Sequence, residues 1–169
     1  AALTELQELV EDLDNARDFE SIRGFRSLLP LLEEEAPAAL LAPTAWVLGT
    51  AVQNNGDLQR HMLEIGALPL LVRLARSATE LETVRARAIY ASSGTIRANP
   101  TGRRAFEAEG GLGVLIDLLG APESPLRLLK KAIVLFSDLL GEEDMLGDSV
   151  TLSSASDGGL QLAVRERAA

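Results

Sequence analysis

The sequence predicts an all-α domain, a solenoid of about three similar three-helix repeats. The 169 residues suffice for one ordinary domain, and 47% of them are hydrophobic, which allows a sizeable core. Leucine and alanine dominate while aromatic residues make up only 4%, a balance that favours helices over strands. Apolar residues also recur at a fixed long spacing, which is typical of repeat architectures.

An internal repeat emerges when the chain is shifted by 43 residues and then by a further 44. Four sets of apolar positions then coincide, and small residues follow in the same frame at Ala45, Ala88 and Ala132. The four sets are Phe19, Met62 and Phe106; Phe25, Leu68 and Leu112; Leu28, Leu71 and Leu115; and Leu31, Leu74 and Leu118. Stacked units of this length bury one continuous core.

Each unit is interpreted as a short helix, a turn, a second helix, a variable loop and a third helix. We place the turns at Gly24, Gly66 and Gly110, because glycine allows the chain to bend sharply. The third helices are predicted over residues 44–53, 83–97 and 126–140, the first of them after a loop that ends at Pro43.

The repeat domain is predicted to cover residues 1–141. It comprises a cap helix over 3–13 and the repeats 14–53, 54–97 and 98–141. Residues 142–169 are acidic and then rich in serine and threonine, so we expect a linker there. The segment 157–160 is similar to 109–112, and it is expected to open a partial fourth repeat.

Composition excludes several classes of function. A net charge of −9 makes nucleic acid and anionic membrane poor ligands. The absence of cysteine and the single histidine, His61, remove thiolate and histidine metal clusters, and no serine has an acid–base pattern around it. We therefore expect no enzyme, no metal and no cofactor, and we expect His61 to be solvated.

Four segments resemble a known family. Residues 11–19, EDLDNARDF, resemble the E-x-x-D-N-A-x-D-F motif of the armadillo-type nucleotide exchange factors of DnaK-type (heat shock 70) chaperones. Residues 45–55, AWVLGTAVQNN, are similar to that family's first complete third helix. Residues 64–69 and 129–139 fit two further motifs in the same order, so the resemblance extends over 3–141.

The resemblance implies an armadillo-type right-handed α-solenoid whose concave surface binds the ATPase domain of a DnaK-type chaperone. It also implies an adenyl-nucleotide exchange factor that promotes ADP release, with no cofactor of its own, and we expect a monomer. The alternative is a generic armadillo adaptor that binds an extended peptide in its groove. We expect the compartment to be the endoplasmic reticulum lumen or the cytoplasm, with a slight preference for the endoplasmic reticulum, because the late helix resembles the family's lumenal branch more than its cytosolic branch.

The third helices are predicted to carry the partner-binding surface. Trp46 takes the place where armadillo helices present a tryptophan to the groove, and a core position is the alternative. Five cations suit an acidic partner, although they could instead form a solvated face: Arg85, Arg87, Arg97, Lys130 and Lys131. The predicted partner-binding residues are Trp46, Thr50, Gln53, Asn54, Arg85, Ile89, Ser93, Arg97, Lys130 and Lys131.

The family motif is carried by four polar residues near the start of the first repeat. These are Glu11, Asp14, Asn15 and Asp18. They could touch the chaperone, or Asp and Asn could cap a helix by accepting hydrogen bonds from its free N–H groups.

Overall fold

The computed structural model describes residues 2–146, 149–154 and 160–165, with side chains over 2–140. Helices dominate the described residues. The α-helices are α1 Ala2–Leu9, α2 Leu13–Ser21, α3 Gly24–Leu28, α4 Ala38–Ala51, α5 Gly56–Glu64, α6 Ala67–Arg76, α7 Glu82–Ile96, α8 Pro100–Ala108, α9 Gly111–Gly120 and α10 Leu126–Leu146. A 3₁₀ helix, Leu29–Leu32, continues α3.

The helices form two layers. Helices α1, α4, α7 and α10 pack side by side in chain order, and α7 alone contacts both α4 and α10 extensively. The shorter pairs α5/α6 and α8/α9 pack against the other side of this row. The predicted solenoid of three-helix repeats is therefore confirmed, with α4, α7 and α10 as the third helices.

Equivalent positions in the three repeats have equivalent environments. Ala45, Ala88 and Ala132 all have no exposed surface, so the third helices approach closely along one line. Phe25 and Leu68 are buried, and Leu112 is partly buried against the same core. The recurrence therefore identified the core face of each helix correctly.

Each repeat begins with a capped helix. The N-cap residues of α2, α5 and α8 are Asp12, Asn55 and Asn99, and each side chain accepts a backbone N–H from the first turn. These caps keep the same spacing of 43 and 44 residues as the core. A side-chain cap satisfies a donor that would otherwise lack a partner inside the helix.

The turn between the first and second helices differs from the prediction in the first repeat. The left-handed residue there is Arg23, with φ of 64°, and its equivalents are Gly66 and Gly110, each with φ of 74°. Gly24 instead follows the turn, and a Cβ on it would lie 2.3 Å from the Phe19 ring. Gly24 is thus required for close packing and not for the turn.

The first third helix starts earlier than predicted. Helix α4 begins at Ala38 and contains Pro43, where the sequence predicted a loop. Proline lacks an N–H and interrupts one helical hydrogen bond. The burial of the apolar side chains Leu41, Ala45 and Val47 along the same helix compensates for that loss.

The N-terminal cap helix ends earlier than predicted. Helix α1 ends at Leu9 and not at residue 13, because Asp12 already caps α2.

The C-terminal end departs from the helical pattern. Helix α10 continues to Leu146, past the predicted boundary at 141. Strands β1 (Ser149–Ser154) and β2 (Leu160–Arg165) pair antiparallel with Ser149 opposite Arg165. Residues 157–159 of the predicted fourth repeat lie outside the described residues, and the chain after them is a strand. Over the described part of the chain, none of the helices has the length and apolar character needed to cross a bilayer.

Candidate functional site

The outward side chains of α4, α7 and α10 form a surface that we call the third-helix face. Its centre consists of Trp46 on α4, Arg87 and Tyr90 on α7, and Arg127 and Lys131 on α10. These helices lie side by side, so side chains from successive repeats meet on this face.

Trp46 is covered by a cation from the next repeat. The guanidinium carbon of Arg87 lies 3.6 Å from the centroid of the Trp46 ring. Both side chains are half-buried, so Trp46 is neither a core residue nor a freely exposed groove residue. Stacking over an aromatic face attracts the cation through the ring quadrupole and restricts where its N–H groups point.

The same contact recurs one repeat later. The Lys131 ammonium lies over the Tyr90 ring, 5.2 Å from its centroid. Tyr90 follows Trp46 by 44 residues, and Lys131 follows Arg87 by 44 residues. The third-helix face therefore presents two aromatic-backed cations in equivalent positions on α7 and α10.

Positive charge accumulates around these cations. Burial, and then the charge of Arg127, lower the pKa of Arg87. Burial, and then the charges of Arg87 and Arg127, lower the pKa of Lys131. No ion pair with a carboxylate forms at any of these three side chains within residues 2–140. Among the described side chains, Arg87, Arg127 and Lys131 therefore form a positively charged surface on an acidic chain.

A shallow cleft of about 150 Å³ lies beside the Lys131–Tyr90 contact. Its position is fixed by a hydrogen bond from Gln53 to the Gly49 carbonyl (2.8 Å) and by an ion pair of Arg97 with Asp138 (2.5 Å). The cleft brings together five of the predicted residues with two others. Its lining consists of Gln53, Ile89, Tyr90, Ser93, Arg97, Lys131 and Val134.

Other predicted residues lie differently. Ile89 is only 2% exposed and forms part of the cleft floor. Arg85 does not join the third-helix face, because its Nε donates to the Ala75 carbonyl at the end of α6 (3.0 Å). Thr50 accepts from Gln7 at 3.4 Å, and Asn54 is an exposed residue with φ of 55° after α4.

Lys130 is exposed on α10 beside Lys131, without a ring contact. Lys131 alone of the two lysines is held over an aromatic ring. The structure therefore separates two neighbouring residues that the sequence had treated as equivalent.

The family-motif residues are all exposed, and three of them make local contacts. Asp14 pairs with Arg17 (3.2 Å), the Asn15 side chain donates to the Leu9 carbonyl (3.1 Å), and Glu11 accepts from Gln7 (2.8 Å). Asp18 is exposed on α2. The capping role belongs to Asp12, which accepts from the N–H groups of Asp14 and Asn15.

His61 differs from the solvated histidine that we expected. Its Nε2 lies 2.7 Å from Oε1 of Glu20, and 30% of its side chain is exposed. Glu20 belongs to the first repeat and His61 to the second, so the pair joins two repeats. Sequence reasoning missed this contact because no local pattern links α2 to α5.

Tyr90 and Arg127 are parts of the third-helix face that the sequence prediction did not include. A signal was present: an aromatic residue at 46 and 90 is followed 41 residues later by a cation at 87 and 131. This step is two and three residues shorter than the repeat offsets of 43 and 44, so each cation precedes the position that aligns with the ring by less than one helical turn.

The family of the chain follows from comparison with known proteins. A family model described as the SIL1/FES1/HPBP1 C-terminal domain matches residues 15–161. The chain belongs to this family. Its membership confirms the family resemblance carried by the four sequence motifs.

Curated SIL1/FES1/HPBP1 relatives include the Hsp70 nucleotide exchange factor FES1 of Candida glabrata. It is 35% identical over 159 residues, which cover 94% of this chain and 54% of that protein. The Hsp70-binding protein 1 of Rattus norvegicus is 32% identical over 146 residues, covering 86% of this chain and 40% of the relative. The chain spans about half the length of the curated relatives it matches.

Solved structures similar to this SIL1/FES1/HPBP1 member are armadillo repeat proteins. A designed armadillo repeat protein in complex with the peptide (KR)4 superposes with a TM-score of 0.73 at 21% identity, covering 82% of this chain and 56% of that one. The armadillo-repeats-only protein of Plasmodium falciparum gives a TM-score of 0.69 at 20% identity, covering 82% and 59%. At this identity the likeness shows the armadillo-type fold.

Proposed function

We propose that the chain is an adenyl-nucleotide exchange factor, which binds the ATPase domain of a DnaK-type heat shock 70 chaperone and promotes ADP release. The observation that carries this proposal is the family match over residues 15–161, together with relatives named as Hsp70 nucleotide exchange factors. The chain acts in it as a monomeric binding protein and supplies no bond chemistry.

The geometry supports a mechanism in which the third-helix face holds one lobe of the ATPase domain. Three third helices packed in a row give a rigid surface, and the cations Arg87 and Lys131 lie at its centre. A rigid surface that binds only the open chaperone conformer shifts the chaperone toward that conformer. ADP contacts are split in the open conformer, so ADP leaves faster.

Binding of the exchange factor and binding of ADP to the chaperone are coupled reciprocally. The nucleotide must weaken binding of the exchange factor by the same factor by which the exchange factor weakens nucleotide binding. A coupling of about 2–3 kcal/mol would speed ADP release by one to two decades if most of it acts on release.

A release assay tests the proposal. A DnaK-type chaperone is loaded with fluorescent ADP, and the chain is added in excess together with unlabelled ATP. We expect faster release, and unchanged release across cytosolic and lumenal chaperones would overturn the proposal. A larger effect on a chaperone of the endoplasmic reticulum lumen would support placement of the chain in that compartment.

The alternative, a peptide-binding adaptor, is favoured by one observation: the designed armadillo protein with the same fold was solved with the peptide (KR)4. The third-helix face here is itself cationic at Arg87, Arg127 and Lys131, which disfavours a basic peptide. Unchanged ADP release together with saturable binding of an extended peptide would favour the adaptor.

A further inference from the structure

We infer that Arg87 and Lys131 form a two-point reader for carboxylate groups on an acidic segment of the partner protein, and that Trp46 and Tyr90 are the positioning residues beneath them. The identity of the partner rests on the proposed function. The chemistry of recognition rests on the contacts of the third-helix face alone.

The contact between a cation and an aromatic ring occurs twice on the third-helix face. Arg87 stacks on Trp46 at 3.6 Å, and Lys131 lies over Tyr90 at 5.2 Å, each cation reaching back to the preceding third helix. A contact made once could be incidental packing. Here Arg87 and Lys131 occupy equivalent positions of the second and third repeats, and each contacts a ring 41 residues earlier in the chain, although Tyr90 lies one position beyond Ile89, the equivalent of Trp46.

The distance between the two cations determines which spacing of carboxylates they fit. Packed helices lie about 8–10 Å apart, so cations on α7 and α10 at equivalent positions are separated by roughly one such distance. A segment in the polyproline II conformation advances about 3.1 Å per residue with three residues per turn, so its residues i and i+3 lie on the same side, about 9 Å apart. The reader thus favours acidic residues at positions i and i+3 of such a segment.

The cations at the centre of the third-helix face have no carboxylate paired with them among the described side chains. Within residues 2–140, the salt bridges do not include Arg87, Arg127 or Lys131. Over the residues with described side chains, none of the three cations pairs with a carboxylate, and the charge of Arg127 acts on both of the others. A partner carboxylate would supply the missing charge.

The net charge of the chain favours carboxylate ligands over phosphate ligands. The whole chain has a net charge of −9, and this field repels anions at long range, most strongly those with the highest charge density, such as polyphosphate and nucleic acid. Single carboxylates on a folded protein experience less of that repulsion and still accept a two-pronged contact from a guanidinium. The observations therefore favour an acidic protein segment over polyphosphate or nucleic acid.

The aromatic rings orient the cations and do not themselves contact the partner. The face of Trp46 is covered by Arg87, so a partner meets the guanidinium and not the indole. The ring holds the arginine in one orientation, and less side-chain freedom is lost when a carboxylate binds. Trp46 therefore acts through Arg87, unlike a tryptophan that touches the ligand.

A binding experiment tests the reader without a chaperone. Fluorescein-labelled poly-L-glutamate is titrated with the full chain, and anisotropy is measured at low salt and at about 0.15 M salt, where the Debye length is about 8 Å. We expect saturable binding that Arg87→Met and Lys131→Met each weaken about tenfold, which corresponds to about 1.4 kcal/mol. Poly-L-lysine should not bind to this face.

The matched control removes one positive charge from the opposite layer. Arg104 is an exposed arginine on α8, and Arg104→Met should change the affinity for poly-L-glutamate less than about twofold. Equal losses in Arg87→Met and Arg104→Met would show that net charge alone is sensed, and would overturn the reader. Binding of inorganic polyphosphate as tight as that of poly-L-glutamate would overturn its preference for carboxylates.

The positioning role has its own readout. Trp46→Leu keeps Arg87 but removes its platform, so we expect several-fold weaker binding, while the melting temperature changes less than in a core variant such as Leu48→Ala. In the wild type, the fluorescence of Trp46, the sole tryptophan, should change when poly-L-glutamate binds Arg87. An unchanged affinity in Trp46→Leu would remove the positioning role.

The ADP-release assay distinguishes failure of the reader from failure of the proposed function. If the wild type accelerates release and Arg87→Met with Lys131→Met does so equally, the reader is wrong and the exchange factor stands. If the wild type binds poly-L-glutamate through these residues but leaves ADP release unchanged, the proposed function is wrong and the reader stands.

Discussion

His61 and Glu20 form the clearest side-chain link between the first two repeats, with Nε2 2.7 Å from Oε1. The other carboxylate oxygen of Glu20 accepts the Phe25 N–H at the start of α3 (3.0 Å). One half-buried carboxylate thus caps a helix and joins two repeats.

Replacement of Glu20 by alanine should lower the free energy of unfolding. The variant leaves the Phe25 N–H without its acceptor and removes the inter-repeat contact of His61, which keeps only its weaker contact with Glu64 (3.5 Å), and we expect a loss of about 2 kcal/mol. Urea unfolding followed by circular dichroism measures it. Asp57→Ala is the control, because it removes only an exposed pair with Arg60 and should have a much smaller effect.

Replacement of Arg23 by glycine should stabilise the chain. Arg23 is exposed and has φ of 64°, a conformation that costs a non-glycine residue about 1 kcal/mol. We expect a gain of that size in the free energy of unfolding. The converse change, Gly66→Ala at φ of 74° with no atom near its Cβ, should lose a similar amount. If both variants had the same free energy of unfolding as the wild type, the assignment of Arg23 and Gly66 as equivalent left-handed turn residues would be contradicted.

Gln59 ties α5 to the end of α7. Its buried side chain donates to the Gly94 carbonyl at 2.9 Å and to the Arg97 carbonyl at 3.3 Å. Gln59→Met keeps the length of the side chain but leaves these carbonyls without that donor, so we expect a loss of about 2 kcal/mol in thermal or urea unfolding. A loss no greater than that of Asp57→Ala would show that water replaces the amide.

The pKa of Lys131 should respond to Arg87. Burial and then the Arg87 charge lower the pKa of Lys131 below 10.5, so the protonated form destabilises the folded state until the pH rises through that lowered pKa. Arg87→Met removes one of these causes and should raise the pKa toward 10.5. An NMR titration of lysine-labelled protein measures it, and Arg104→Met, on the opposite layer, should leave it unchanged.

The fold could be predicted from the sequence because its core is periodic. Phe25, Leu68 and Leu112 mark one face in three repeats, and that pattern was enough to place each second helix. The errors came where tertiary packing overrode a local signal, as at Pro43 inside α4 and at Arg23 in the left-handed turn. Neither residue would be chosen there from propensity alone.

The site could be predicted only in outline. All three third helices were predicted, although α4 begins at Ala38 and not at residue 44, and Trp46, Gln53 and Lys131 do lie on one face. The rotation of each side chain depends on contacts between helices, so Arg85 reached α6 while Arg87, two residues later, covered Trp46. The contact of Arg87 with Trp46 joins residues 41 positions apart and that of Arg85 with Ala75 joins two helices of one repeat, so no helical periodicity contains either.

Hydrogen–deuterium exchange of the full chain, with and without the ADP-loaded chaperone ATPase domain, tests the central claim most directly. If the third-helix face holds the chaperone, amide protection should increase in α7 and α10 and remain unchanged in α5 and α8. Protection confined to α5 and α8, or identical exchange with and without the chaperone at saturating concentration, would contradict the account.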